Sequence, residues 1–185
     1  MAAKVEKKSN AKKIAIIVCA ALLALLVILT VIWVFTSYIP YNKYVDMVKS
    51  RGTESWKDTI SYSSGFDTTR YQYYIARPNW LSWTGFIAIS MPGEVGVDGY
   101  SISPDGVNVK IVGGKAVEYT ADISITKIQA GKVSTSLHYI KVDKNGKYLP
   151  AGGNVDYTIL EVYENHEANI KNLVRKINSI FGFTD

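Results

Sequence analysis

The stretch IAIIVCAALLALLVILTVIWVF, residues 14–35, decides the fold. It contains no charge, and Thr30 is its one polar side chain. As a helix rising about 1.5 Å per residue it reaches roughly 33 Å, enough to cross a hydrocarbon core about 30 Å thick with a small tilt. A cleaved secretory signal would have a shorter apolar run, about 7 to 15 residues, ending in small residues. This run instead leaves through Trp33, Phe35 and Tyr38. A lipoprotein reading through Cys19 fails because Val18 occupies the position that needs a small residue. The expectation is therefore a basic tail (residues 1–13), a transmembrane helix (14–36), a juxtamembrane helix and loop (37–65), and an extracytoplasmic domain (66–185).

Direction follows from the flanks. Lys4, Lys7, Lys8, Lys12 and Lys13 precede the span against Glu6 alone, while Lys43 is the sole basic residue soon after it. The excess of lysine before the span predicts a cytoplasmic N-terminus and a single-pass protein of the cell membrane. Trp33, Tyr38, Tyr41 and Tyr44 fall where an outer interfacial belt would lie, with domain packing the alternative for Tyr41 and Tyr44. The whole chain carries 21 Lys plus Arg against 16 Asp plus Glu, and the tail accounts for five of the former and one of the latter. The remainder holds 16 basic and 15 acidic residues (21 − 5 and 16 − 1), so the basic balance is a topology signal and no argument for nucleic acid. The external part has no cysteine and no Asn-x-Ser/Thr site, which suits a bacterial or archaeal envelope.

After the span, Pro40 is expected to break or bend the helix. Tyr44, Val45, Val48 and Trp56 then line one face of a short amphipathic helix ending near Gly52 or Ile60. Residues 61–69 read as a polar loop. From Tyr71 the period changes to two. Strands are predicted over residues 71–75, 83–91, 100–102 and 107–111, the last two joined by the turn Ser103-Pro104-Asp105-Gly106. Gly113-Gly114 leads to the clearest strand, where Val117, Tyr119, Ala121, Ile123 and Ile125 alternate with Glu118, Thr120, Asp122, Ser124 and Thr126. Ala130-Gly131-Lys132 turns into a strand over 133–142, and Asp143-Lys144-Asn145-Gly146 turns again as a hairpin. Residues 155–163 read as a further strand. Asn165 is then the expected N-cap of a C-terminal helix with the apolar stripe Ile170, Leu173, Val174, Ile177, Ile180 and Phe181, stopped by Gly182. The fold class is α+β: a transmembrane helix, then an antiparallel sheet with a C-terminal helix packed on one face. The alternative for that helix is a return to the membrane surface.

The chemistry inventory is sparse. His166-Glu167 begins like a zinc-protease helix, but Ile170 stands where the second histidine belongs, leaving His166 an exposed residue at a helix start. His138 reads as a solvent-face residue on a strand. Asp143-Lys144-Asn145-Gly146 brings its glycine two positions too early for a calcium loop. Gly93, Gly96 and Gly99 lie among Glu94 and Asp98 and lead into no helix, which disfavours phosphate. Asp122 and Glu118 share a strand face, as solvation alone would place them. No catalytic residue, metal ligand or cofactor site is assigned. The richest cluster is Tyr71, Tyr73, Tyr74, Arg77, Pro78, Asn79, Trp80 and Trp83. Rings beside Arg and Asn can stack on sugars or form a protein interface, so Tyr73, Arg77, Trp80 and Trp83 are the candidate binding residues, with core packing as the alternative.

The plan of a basic start, an apolar helix, more helix and an antiparallel sheet resembles that of type IV pilin-like proteins, although no Gly cleavage site precedes the span and no Glu lies within residues 14–35. That resemblance implies a filament subunit. Tyr41-Asn42-Lys43 followed by Val45, Val48 and Trp56 is similar to the segment after the membrane helix in LemA-family proteins, over less than a third of the chain; that family is all-helical, unlike the strand-rich remainder here. The function expected is a membrane-anchored, non-catalytic scaffold or assembly subunit of a cell-envelope complex. The alternatives are a glycan- or peptide-binding module using segment 71–83, or a pilin-like subunit. The partners expected are the bilayer through residues 14–36, envelope proteins and, for the binding module, cell-wall glycan.

Overall fold

The computed structural model describes residues 2–51, 55–58, 70–78, 80–81, 83–95, 101–102 and 105–183. Helix α1 (Ala2–Trp33) runs through a π-helical turn (Val34–Tyr38) directly into α2 (Ile39–Lys49). From Ala11 this helical stretch is long and apolar enough to cross a membrane. Pro40 does not break it. Proline removes an N–H and crowds the preceding turn. The wider i→i+5 turn just before it, with Ile39 N–H donating to the Val34 carbonyl, accommodates that defect and carries the helix on.

Six strands make one sheet in the order β1-β2-β3-β6-β7-β8. They are β1 (Ser55–Asp58), β2 (Gln72–Ala76), β3 (Thr84–Ser90), β6 (Gly106–Val112), β7 (Lys115–Gln129) and β8 (Lys132–Val142). The last five in that order are antiparallel, and β1 joins β2 in parallel at the edge. β4 (Glu94–Val95) and β5 (Ser101–Ile102) pair with each other in a separate two-stranded ladder. Helix α3 (Tyr157–Phe181) lies on one face of the large sheet, against β3, β6 and β8, and meets α2. The layout is α+β, as the sequence predicts.

The core lies between that sheet face and the two helices. Tyr41, Tyr44, Val45 and Val48 of α2 enter it, as do Ile170, Leu173, Val174 and Ile177 of α3. Each fully buried aliphatic side chain contributes about 1.5–3 kcal/mol, which explains why the α3 stripe settles on the sheet, and its burial there leaves it unavailable to a membrane surface. Gly182, at φ 70°, ends α3 in the left-handed conformation and returns its N–H to the Asn178 carbonyl at 2.9 Å. Gly113 and Gly114, both at positive φ, make the tight β6–β7 turn.

Several expectations are corrected. Residues 157–163 are helical: Asp156, ahead of the expected cap Asn165, accepts from Thr158 N at 3.0 Å and Ile159 N at 3.2 Å. The β-branched and aromatic residues there look strand-like, but Ile159, Val162 and Tyr163 continue the 3–4 spacing of the stripe and pack on the core. Trp56 belongs to β1, because α2 ends at Lys49. β5 pairs with β4 in place of forming a hairpin with β6. In β7 a register shift between Lys110 and Ile111 of the neighbouring strand makes Val117 an extra residue and turns it out, 55% exposed, with Ala116 taking the inward place. The turn at residues 143–146 forms, held by Gly146 N donating to the Asp143 carbonyl at 2.9 Å, yet the chain after it makes only the bridge Val142↔Tyr148. The expectations at Gly52, Ile60, residues 61–69, Asn79, Gly96, Gly99, Ser103 and Pro104 lie outside the described residues.

Candidate functional site

The aromatic segment does not converge on one surface. Tyr73 points inward from β2 and packs edge-on against Phe181 at 6.3 Å between ring centres, so it is core. Tyr74, next along the strand, faces the other way and is exposed. Tyr71 is covered by the Lys176 ammonium, 4.2 Å from the ring centre. The β2–β3 connection starts at Arg77, whose guanidinium carbon stands 5.8 Å over the Tyr38 ring, and leads back to Gly85 beneath Tyr41. It therefore sits at the α1 end of the sheet. Along it, Pro78 is buried, Trp80 is 36% exposed, Leu81 is 84% exposed and Trp83 is half-buried at φ 51°. Of the four candidate binding residues, Arg77, Trp80 and Trp83 share this connection, and Tyr73 is withdrawn from it.

A polar cluster that sequence spacing did not reveal joins β6 to α3. Asp105 is buried, and its carboxylate meets His166 Nδ1 at 2.8 and 2.9 Å and accepts from Asn169 Nδ2 at 2.9 Å. Asp105 has the character of a turn residue and His166 that of a helix-start residue; in the structure α3 begins nine residues before His166, so the imidazole lies mid-helix with Asn169 one turn on. The carboxylate fixes the ring through Nδ1. His138 also departs from its expected place. It has the parity of core residue Ile140, and Leu137 and Tyr139 are the exposed ones. Its ring lies 3.3 Å from Ser136 Oγ, with no described contact to His166.

Glu118 and Asp122, alternate residues of β7, take different roles. Glu118 pairs with Lys141 at 3.0 Å in solvent. Asp122 is desolvated, which pushes its carboxyl up to about 6, and its Oδ1 has no hydrogen-bond partner. At the end of α3, Lys144, Asn145, Lys171, Arg175, Asn178, Ser179 and Gly182 line an open depression of about 640 Å³. Three cations and no carboxylate line it, but Lys171 also reaches Glu167 at 2.7 Å. Asn178 spends its amide on structure, accepting from Tyr119 Oη at 2.8 Å and donating to the Lys144 carbonyl at 2.9 Å. Among the described residues no group of three or more His, Cys, Asp or Glu side chains is placed to hold a metal ion. No family model, curated protein or solved structure matches this chain.

Proposed function

We propose that the chain is a membrane-anchored, non-catalytic scaffold or assembly subunit of a cell-envelope complex, with its N-terminus in the cytoplasm and its α+β domain outside. One observation carries this reading: the apolar helix does not end in a linker but passes through the π turn into α2, whose Tyr41, Tyr44, Val45 and Val48 are core residues of the domain. Anchor and sheet are thus one body, which presents the domain at a fixed height and orientation. Such rigid coupling serves assembly, where weak contacts gain effective concentration from confinement to one layer. It contributes nothing to catalysis by itself. The β2–β3 connection supports the same placement. Trp80 and Leu81 are exposed at the α1 end, alongside Phe35, Tyr38 and Ile39, where amphipathic rings and an apolar side chain suit the headgroup boundary.

Two measurements test the proposal. Protease added to sealed source cells should remove the domain and leave the N-terminal tail protected. Affinity purification of the full chain from its native membranes in mild detergent, after brief crosslinking, should recover partners in fixed stoichiometry. A protected domain defeats the topology, and recovery of the protein as a lone monomer, bound to neither another protein nor a second copy, defeats the scaffold.

A further inference from the structure

Among the described residues β8 is the free edge of the large sheet beyond β7. Leu149 N donates to the Lys141 carbonyl at 2.8 Å and Asp143 N to the Lys147 carbonyl at 2.8 Å, so the odd-numbered residues direct their backbone groups away from β7. Lys141 is engaged in this way. The N–H and C=O groups of Val133, Thr135, Leu137 and Tyr139 bond to no described residue. Natural edges are usually blunted by charge, proline or a bulge. Residues 133–140, VSTSLHYI, contain neither charge nor proline, and their pairing with β7 is unbroken. Leu137 is 59% and Tyr139 67% exposed on the sheet face opposite α3.

We infer that this edge pairs with the same edge of a second copy, antiparallel, across a two-fold axis through Ser136. The register follows from which groups are open. Centring on Ser136 sets Val133 against the partner's Tyr139 and Thr135 against the partner's Leu137, and the symmetric pairs repeat this, so all four open residues of each copy exchange both backbone bonds. Centring one step along would need the Lys141 carbonyl, which Leu149 already occupies. A parallel two-fold would oppose each N–H to the same residue's N–H and form no ladder. In the antiparallel register the apolar Val133, Leu137 and Tyr139 of both copies form one patch, Lys132 faces the partner's Ile140, and no like charges stand opposite. Two such short edges bury less than the roughly 1,200–2,000 Å² of a standard interface, so the pair is weak in dilute solution and depends on confinement at a membrane.

The geometry also sets the direction. The β6–β7 turn lies beside the π turn that follows α1, with a Cβ built on Gly114 falling 3.5 Å from the Thr36 carbonyl oxygen, and the fifteen residues of β7 carry the β7–β8 tip about 50 Å away. Antiparallel pairing therefore points the two anchors in opposite directions, joining copies on facing membranes. This inference rests on the anchored-scaffold reading and names one partner for it.

The test uses the full chain with Cys19→Ser, reconstituted into liposomes. Ser136→Cys places two thiols at a non-hydrogen-bonded cross-strand pair, about 4.5 Å between Cα atoms, and should yield disulfide-linked dimers under mild oxidation. Ser134→Cys, whose predicted neighbour is the partner's His138, should yield roughly tenfold less. Liposomes bearing the protein should cluster. Thr135→Pro removes only an outward N–H, so it should abolish crosslinking and clustering while leaving the thermal transition in place. Equal crosslinking at 134 and 136, or crosslinking indifferent to Thr135→Pro, would overturn the inference, as would vesicles that stay dispersed. Stoichiometric capture of other proteins by the Thr135→Pro variant would show that the scaffold reading survives such a failure.

Discussion

Gly85 tests whether α2 and the sheet form one body. It occupies an inward position at the start of β3, directly under the Tyr41 ring. A Cβ added there would fall on Tyr41 Oη and Cζ and 2.6 Å from the Ala76 carbonyl oxygen. The ring is held by a helix that continues into α1, and the carbonyl belongs to a paired strand, so neither can withdraw cheaply. Overpacking costs about 1–3 kcal/mol, and with backbone among the clashing atoms Gly85→Ala is expected near the upper end. About 0.5–1 kcal/mol is returned by lower chain entropy in the unfolded state, leaving a net loss of roughly 2 kcal/mol. For a domain of this size that corresponds to a fall in Tm of about 4–8 °C. Tyr41 Oη is buried without a hydrogen-bond partner. Tyr41→Phe alone should therefore be neutral or stabilising by about 1 kcal/mol, and in its background Gly85→Ala should cost visibly less. Urea and thermal unfolding of the full chain in detergent micelles, followed by tryptophan fluorescence, measure all four corners of this cycle. A Gly85→Ala variant as stable as the parent, or a cost unchanged by Tyr41→Phe, would refute the packing of α2 on β3.

Burial raises the Asp122 carboxyl from 3.8 to about 6, so between those values the folded state holds a proton that the unfolded state has released. Its contribution is complete below about pH 4 and is lost as pH rises to about 6. Asp122→Asn should flatten that slope in urea titrations and stabilise the protein at pH 7 by about 1–2 kcal/mol, after a discount for partial exposure; an unchanged slope would count against the burial. His166→Ala strips one partner from the buried Asp105 carboxylate and should lower stability by about 2–3 kcal/mol, whereas Asp105→Asn with His166 intact should cost less because no unpaired charge remains. Asp156→Ala should lose about 1 kcal/mol and fray the first turn of α3, seen as faster amide exchange at Thr158 and Ile159. If those amides are unaffected, the helix begins elsewhere.

How far the residues alone reach depends on whether the deciding interaction is local. Residues 14–35 carry no charge and a single polar side chain, Thr30, and no tertiary contact is needed to read an apolar helix long enough to span. The alternation through Tyr119, Ala121 and Ile123 and the stripe from Ile170 to Phe181 are likewise written at periods of two and of three to four. The β6–β7 turn follows from Gly113 and Gly114, which tolerate positive φ, whereas the β7–β8 turn sets Ala130 at φ 51° beside Gly131. The start of α3 was not legible in the same way, since Tyr157, Thr158 and Ile159 favour strands by type and are helical because Asp156 caps them and Ile159 packs on the core. Of the candidate binding residues, Tyr73 and Trp83 are both large aromatics in the sequence, and only the fold sends Tyr73 inside from β2 while leaving Trp83 half-buried in the connection.

The chain's own order of residues settled the long apolar helix, its basic flank, the antiparallel strands and the amphipathic C-terminal helix, because each is a pattern between near neighbours. The folded structure alone determined that α2 belongs to the core, that β1 lies parallel to β2, that Asp105 meets His166 across 61 residues, and that β8 is left as an open edge. Those outcomes depend on which distant surfaces fill the same space, and the free energy of that choice resides in packing between elements, where no local period records it.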